Sequence, residues 1–546
     1  MRSFKMVLLV SLLCALPVGL IWLVGFLVPS KPLRFPSGHY APRFPIASDT
    51  TYITDPIDSE GYVDYVEALN RRFSKGVDPH SNRIVALLEA LGPKPDRWQI
   101  YPPRFYEWLG VPAPAVTGDH LISLKEFLES DATLDAEKRS EILKQFEAIC
   151  DRSPWQGPDH PQIAAWLERN RVPLEKVISA MQKPQYFHPV VARENSNAAG
   201  RVNVMASLLY EVPRELTNLF VSRAMQEIGK KDYQAAKKSI LSGVNCLHGF
   251  KPLFIIDLLI LRGMEVKLYG ALHLLLEQAP FSLQELEDLQ RVLEAVEPFP
   301  PLHDLVNDVW RLAILDEAIT INQLGVLKEP FDFGLSRLDG AFSGKKDETI
   351  RKMIRVSMID QEDMLRTINS WLDQAVADLK IADPHLRREA LKAAEKRWKE
   401  KVVSALDDLH RESQSWLVGS ASGKTITQVV GLAMVQAAAF TPRFAQEHLD
   451  KAEEKRRLVL TSIALAKHRV KTGQYPETLN ALTPNFIRAV PPDLFSGLLP
   501  LYVKQGDGGY LLYSVGPDRV DNGGRGEDDI PVADDIAVKC PAPPVK

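Results

Sequence analysis

Residues Glu447–Val470 read EHLDKAEEKRRLVLTSIALAKHRV and run almost directly into Gly473-Gln-Tyr-Pro476. The segment starts charged and turns apolar, with Leu458, Ile463, Leu465 and Ala466 toward its end. This pattern is a long helix, and the Gly and Pro behind it are its stop. Beyond Pro476 the chain changes character. Short elements are broken by Pro484, Pro491, Pro492 and Gly497, and then Leu501-Tyr-Val and Tyr510-Leu-Leu-Tyr-Ser-Val are joined through Gln505-Gly-Asp-Gly-Gly509. Two apolar runs linked by a glycine-rich turn predict a β-hairpin. Strand-type alternation is almost absent before residue 490. The expected fold is therefore mainly α, a multi-helix body over 59–444 with a small α+β module over 445–546.

Upstream of the long helix the helical signals recur. Gly61–Asn70 places Tyr62, Tyr65, Val66 and Leu69 at helical spacing, and Asn82–Leu91 is a second helix stopped by Gly92-Pro93. Residues 93–120, rich in Pro and aromatics, read as a long packed loop. From about Leu121 to Gln446 the pattern is helix after helix. Pro158-Asp-His-Pro161 leads into the stripe Ile163, Trp166, Leu167, Asn170, and Asp232 opens a helix after the Gly229-Lys-Lys turn. Ser282-Leu-Gln-Glu285 is a capping box. The apolar run Pro252–Leu261 is only ten residues long and contains Asp257, so it is a buried core helix rather than a membrane span. No fixed period repeats, which argues against a solenoid.

At 546 residues the chain is too long for one core and should divide into two to four packing units. Hydrophobic residues at 45% and charged residues at 25% are those of a folded protein. A net charge of −4 leaves no basic surface for a phosphate backbone, so nucleic acid is not an expected partner. Met6–Val28 contains no charged residue and is long enough to span a bilayer, behind a short positive stretch at 1–5. Its exit, Leu27-Val-Pro-Ser-Lys31, lacks a small-x-small cleavage pattern, so the reading is an uncleaved single-pass anchor. Basic residues flank the span on both sides, so the orientation rests on architecture. A lone N-terminal span with a large body behind it places that body outside, which in this chain means periplasmic. Residues 29–58, with six prolines, read as an extended tether.

The C-terminal loop carries the strongest site signal. Between Gln505 and Ile536 stand eight acidic residues and two arginines, a local balance of −6. Calcium takes six to eight oxygens from carboxylates and carbonyls on a flexible loop, and glycines allow the tight path that gathers them. The spacing is not that of an EF-hand. On chemistry alone, a solvated acidic loop and a calcium site are equally good readings.

Residues 455–530 resemble the C-terminal part of the major pseudopilin of type II secretion. The shared pattern is the long helix ending at Gly473-Gln-Tyr-Pro, then Thr478-Leu-Asn-Ala-Leu-Thr-Pro484, Val490-Pro-Pro-Asp493, the hairpin, and Tyr513-Ser-Val-Gly-Pro-Asp518 with Gly526-Glu-Asp-Asp-Ile530. In that family the corresponding loop binds calcium. The resemblance implies Asp518, Asp528 and Asp529 as ligands, and Asp521 lies between them as a fourth candidate. The loop is longer here before the glycines, and one residue shorter between the last two acids. Residues 6–28 hold no prepilin processing site and lie over 400 residues upstream, so pilin-like polymerisation is not expected. Gly61-Tyr-Val-Asp-Tyr, Lys75–Asn82, Ala90-Leu-Gly-Pro-Lys and Trp166-Leu-Glu-Arg-Asn resemble large anchored or secreted proteins of planctomycete-type bacteria. That likeness implies a two-part architecture and no activity.

Other motifs lead nowhere catalytic. Gly419-Ser-Ala-Ser-Gly-Lys-Thr425 has three residues between its glycines where a nucleotide-binding loop has four, and it sits in a helical region. The histidines are scattered without an H-x3-H or HExxH pair, and no G-x-S-x-G occurs. Asp159 beside His160 reads as a cap. Outside the span, Cys150, Cys246 and Cys540 are widely spaced and odd in number, which builds no disulfide framework. The expected function is that of a non-catalytic, membrane-anchored envelope protein, a scaffold for a protein partner with a calcium-ordered end module. The other reading is an extracytoplasmic hydrolase or ligand-binding protein, its site assembled from distant helical residues.

Overall fold

A computed structural model describes residues 44–93, 101–149, 153–191, 211–324, 360–414, 427, 431, 442–506, 508–527 and 529–541. The expected span at 6–28, the first half of the tether, the Gly419–Thr425 turn and Cys150 lie outside these residues. Among the described residues no helix is long and apolar enough to cross a membrane. The protein is mainly helical, with a small sheet near its C-terminus.

The helices in chain order are α1 (Tyr65–Ser74), α2 (Arg83–Leu91), α3 (Pro103–Leu109), α4 (Leu124–Ser130) and α5 (Ala136–Ile149). Next come α6 (Pro161–Arg169), α7 (Arg171–Met181), α8 (Val212–Gly229), α9 (Tyr233–His248), α10 (Ile255–Gln278) and α11 (Leu283–Glu294). A short α12 (Leu302–Leu305) passes through a π-turn at Val306–Trp310 into α13 (Arg311–Leu324). The series ends with α14 (Gln361–Leu379), α15 (Pro384–Gln414) and the long α16 (Pro442–Thr472).

Side-chain caps set many of the starts. Asn82, Asp232 and Ser282 each accept an amide of the first turn of α2, α9 and α11, and Ser282 and Glu285 complete a capping box. The same rule corrects the start of α1. Asp64 accepts the Glu67 amide, so the helix opens at Tyr65 and Tyr62 precedes it. The stretch 93–120 is not all loop, because Pro103 fits the first helical turn and Phe105, Tyr106 and Leu109 of α3 are buried. Within residues 44–58, expected as the end of an extended tether, the stretch 44–52 folds into a packed turn, while Thr54, Asp55 and Ile57 stay exposed. Thr51 Oγ1 donates to the Ala47 carbonyl at 3.1 Å, Thr50 and Thr51 are fully buried, and Phe44 meets the Tyr62 ring at 6.2 Å.

Among the described residues two apolar cores result. The larger draws on α2–α11 and continues into Leu458–Leu465 of α16, Leu482, Leu512 and Val538. The smaller gathers Phe44, Tyr65 and Leu69, the segment Leu302–Ile319, α14, and Ala445 at the start of α16. Both α10 and α16 reach into each core, through Ile255 and Ala445 in one and Leu268 and Ile463 in the other. Cys246 and Cys540 are buried free thiols.

Three strands, β1 (Leu501–Gln505), β2 (Gly509–Ser514) and β3 (Ile536–Cys540), form an antiparallel sheet in that order. The hairpin register pairs Leu501 with Tyr513 and Gln505 with Gly509, and β3 pairs Tyr510 with Cys540 and Ser514 with Ile536. β3 lies beside α16, and the acidic loop is the connection from β2 to β3.

Candidate functional site

The β2–β3 connection is folded by its own carboxylates. β2 ends at Ser514, whose hydroxyl donates to Asp493 Oδ1 at 2.8 Å. At Gly516 the chain turns with φ +64°, and a Cβ there would stand 2.1 Å from the Asp534 carbonyl oxygen. Only glycine lets the two ends of the loop meet so closely. The Asp518 amide then donates to Asp534 Oδ2 at 2.9 Å, and Asp518 Oδ1 accepts the Val520 amide at 2.7 Å. Asp521 Oδ1 accepts the Tyr513 hydroxyl at 3.0 Å and the Gly523 amide at 2.9 Å. Asp535 Oδ2 receives the amides of Asn522 and Gly524 at 3.0 and 2.8 Å. Two backbone bonds, Asp535 to the Arg525 carbonyl and Ala533 to that of Gly526, close the loop at its far end.

Asp518 and Asp521 are thus brought to Asp534 and Asp535, which the sequence counts in its acidic balance but does not single out as ligands. Asp529 is held apart. Its Oδ2 accepts the Gly526 amide at 2.9 Å and faces Lys539 Nζ at 3.4 Å. Asp528 lies outside the described residues. Glu527 pairs with Lys451 at 2.7 Å.

The electrostatics of this loop are unbalanced. Asp535 is 4% exposed, and its Oδ1 and that of Asp534 are buried with no hydrogen-bond partner. Burial raises both carboxyls above their usual range. At Asp534 a side-chain hydrogen bond with the Asp518 carboxyl, and then its charge, add to the effect, and the charges of Asp521 and Asp518 add to it at Asp535. A buried carboxylate oxygen without a donor is costly, and a cation is one remedy. Among the described residues no three His, Cys, Asp or Glu side chains converge closely enough to grip a metal ion.

Two further clusters stand in the body. Glu265, 1% exposed, accepts His248 Nε2 at 2.8 Å, Tyr269 Oη at 3.0 Å and Arg262 Nη1 at 2.5 Å. Burial opposes its charge, but the His248 bond and the Arg262 guanidinium outweigh that and hold it below the usual carboxylate range. Arg262 continues to Glu453 at 3.0 Å, so the cluster ties α9 and α10 to α16. The second is a cavity of about 290 Å³ lined by His120, Glu126, Glu215, Leu91, Val212 and Leu216. The ring nitrogens of His120 meet the carbonyls of Glu89 and Ala115, and Glu126 is committed to its capping box with Ser123. Neither arrangement sets a nucleophile against a base.

No protein-family model, curated protein or solved structure matches this chain.

Proposed function

We propose that this protein is a non-catalytic envelope protein, held at the cytoplasmic membrane by a single-pass anchor at 6–28 with its body on the extracytoplasmic side. The helical body serves as a scaffold for a protein partner, and calcium orders the pseudopilin-like end. The observation that carries the calcium reading is the pair of buried, unpartnered oxygens on Asp534 and Asp535, facing the charges of Asp518 and Asp521. Calcium accepts irregular sets of carboxylate and carbonyl oxygens, which suits a loop of this kind better than a metal that demands fixed geometry. Asp518, Asp521, Asp534 and Asp535 do not converge on one point as the loop stands, so they would hold the ion only by drawing together around it, with Asp529 left to Lys539. The uncharged length of 6–28 supports the anchor.

The test is a melt of the purified full-length protein with and without calcium. Millimolar calcium raises Tm by several degrees, because an ion that binds only the folded state stabilises it by mass action. The double variant Asp518→Asn, Asp535→Asn melts higher than the wild type in chelator and shows no calcium shift. An unchanged wild-type Tm, or a shift that survives in the variant, removes calcium from the proposal. For the topology, a periplasmic reporter fused after residue 60 is active and a cytoplasmic one silent; the reverse pattern inverts the orientation.

A further inference from the structure

The turn at 47–52 lies over the start of α13 and one face of α14, and together they enclose a cleft of about 340 Å³. Arg311, fully buried, forms its floor. Its Nη1 donates to Asn369 Oδ1 at 2.9 Å, and its Nη2 donates to Asn307 Oδ1 at 2.9 Å and Asp373 Oδ1 at 2.6 Å. The Tyr52 ring covers the guanidinium at 4.5 Å. The Nε–H is left buried without an acceptor.

Three costly features meet at this one place. A guanidinium is withdrawn from water with one donor unpaired. The helix that carries it enters through a π-turn, a departure from α-geometry that is rare and concentrated at functional sites. Tyr52 has φ +66°, a backbone region that side chains other than Asn and Asp seldom occupy. A plain packing contact between a turn and two helices needs none of these.

The rim alternates in charge. Arg366 Nε donates to Asp49 Oδ2 at 2.8 Å, and all three rim charges are open to solvent, with side-chain exposures of 48% for Arg366, 57% for Asp49 and 69% for Asp373. Each of these carboxylates holds its arginine through a single oxygen, and Arg366 Nη1 also pairs with Glu362 Oε1 at 2.5 Å, so it is Nη2 that a ligand carboxylate would take. The hydroxyl-bearing Ser48 and Ser370 line the cleft between these charges. A simple anion entering here would meet Asp49 and Asp373, and a simple cation would meet Arg366. A ligand carrying both signs meets a partner for each.

We propose that this cleft binds a small zwitterion with an α-ammonium and a carboxylate, the chemistry of a free amino acid or of a short peptide. The ligand carboxylate takes Arg366 with the serine hydroxyls, and the ammonium takes Asp373 and Asp49. Arg311 is the positioning residue beneath, fixing Asp373 in place. The cleft's volume is at the lower end for small-molecule sites and suits a ligand of this size.

The experiment is isothermal titration of the full-length protein with a panel of free L-α-amino acids and dipeptides, alongside their N-acetyl and amide derivatives. At least one free zwitterion binds, and blocking either end weakens it by about tenfold or more. Preference for free amino acids or for dipeptides identifies the source. Arg366→Ala and Ser370→Trp, both at exposed positions, abolish binding while leaving the melting temperature close to that of wild type. Three results would overturn the proposal: no panel member binding at millimolar concentration, acetate or methylamine binding as well as the zwitterion, or binding unchanged in Ser370→Trp.

Discussion

Glu454 lies on α16 with 1% of its surface exposed, and its Oε2 accepts the Leu494 amide at 3.0 Å. Burial, with the charge of Asp493 adding to it against the pull of that amide, pushes its carboxyl up to about 7. A carboxyl raised in the folded state is penalised when ionised. The penalty is present in full above pH 7 and fades as the pH falls toward 4.5, the ordinary value. Glu454→Gln keeps an acceptor for Leu494 and removes the charge, so it should stabilise the protein by roughly 3 kcal/mol at pH 8 and by under about 1 kcal/mol at pH 5. Denaturant unfolding at the two pH values checks this, and a gain equal at both would trace the effect to packing instead. Residues of this kind are hard to read in sequence. Glu453 and Glu454 are adjacent and chemically alike, yet the arginines Arg456, Arg262 and Arg457 outweigh burial at Glu453 and draw it down to about 2. The acidic loop shows the same limit. Its composition made the cluster legible, and Asp518 and Asp521 lie within it. The pair Asp534 and Asp535, each with one buried oxygen, gains its place from the close approach at Gly516, which no local spacing announces.

Among the elements, the helix starts were the most legible because a cap is a local device. Asn82, Asp232 and Ser282 sit where their helices open, and Gly473 with φ +85° closes α16 as its position suggests. The hairpin was legible for the same reason. Strand β3 was not, since Ile536–Cys540 is five residues long and owes its place to what covers it. On the side away from β2, Lys455 Nζ of α16 donates to the Ala537 carbonyl at 2.7 Å and His273 Nε2 of α10 donates to that of Lys539 at 2.8 Å. Two helices thus satisfy a strand edge that would otherwise present bare carbonyls. Burial, with Lys455 nearby, lowers His273 to about 4, so the ring is neutral and donates through Nε2. A base depressed in the folded state contributes its stability above its ordinary value of 6.5 and loses it as the pH falls toward 4. His273→Gln retains an N–H donor without titrating. It should match the wild type within about 1 kcal/mol at pH 7 and exceed it by roughly 2 kcal/mol at pH 4.5. Equal acid sensitivity of the two proteins would show that His273 is not a source of it.

At the scale of the whole molecule, the change of composition after residue 473 suggests a self-contained end module, and the packing argues for something more dependent. The apolar face of α16, Leu458, Val459, Ile463 and Ala464, shares one core with Leu268 and Leu272 of α10 and with Leu286 and Leu289 of α11. The sheet joins that same core through Tyr510, Leu512 and Val538. Glu453 of α16 is also the far end of the buried chain that starts at His248 and runs through Glu265 and Arg262. A cut at residue 445 would therefore open the larger core along most of one helix and strand the Arg262–Glu265 pair against water. Cut away from α10 and α11, the apolar face of α16 and the sheet residues that share its core would lose their cover and face water. The fragment 445–546, made alone, is thus expected to lack a cooperative thermal transition and to bind a hydrophobic dye in the presence or absence of calcium. Adding residues 44–444 as a separate chain should restore a cooperative melt and quench the dye. A sharp two-state melt of the isolated fragment would show instead that the end module carries its own core, and that its contact with α10 is a docking of two finished units.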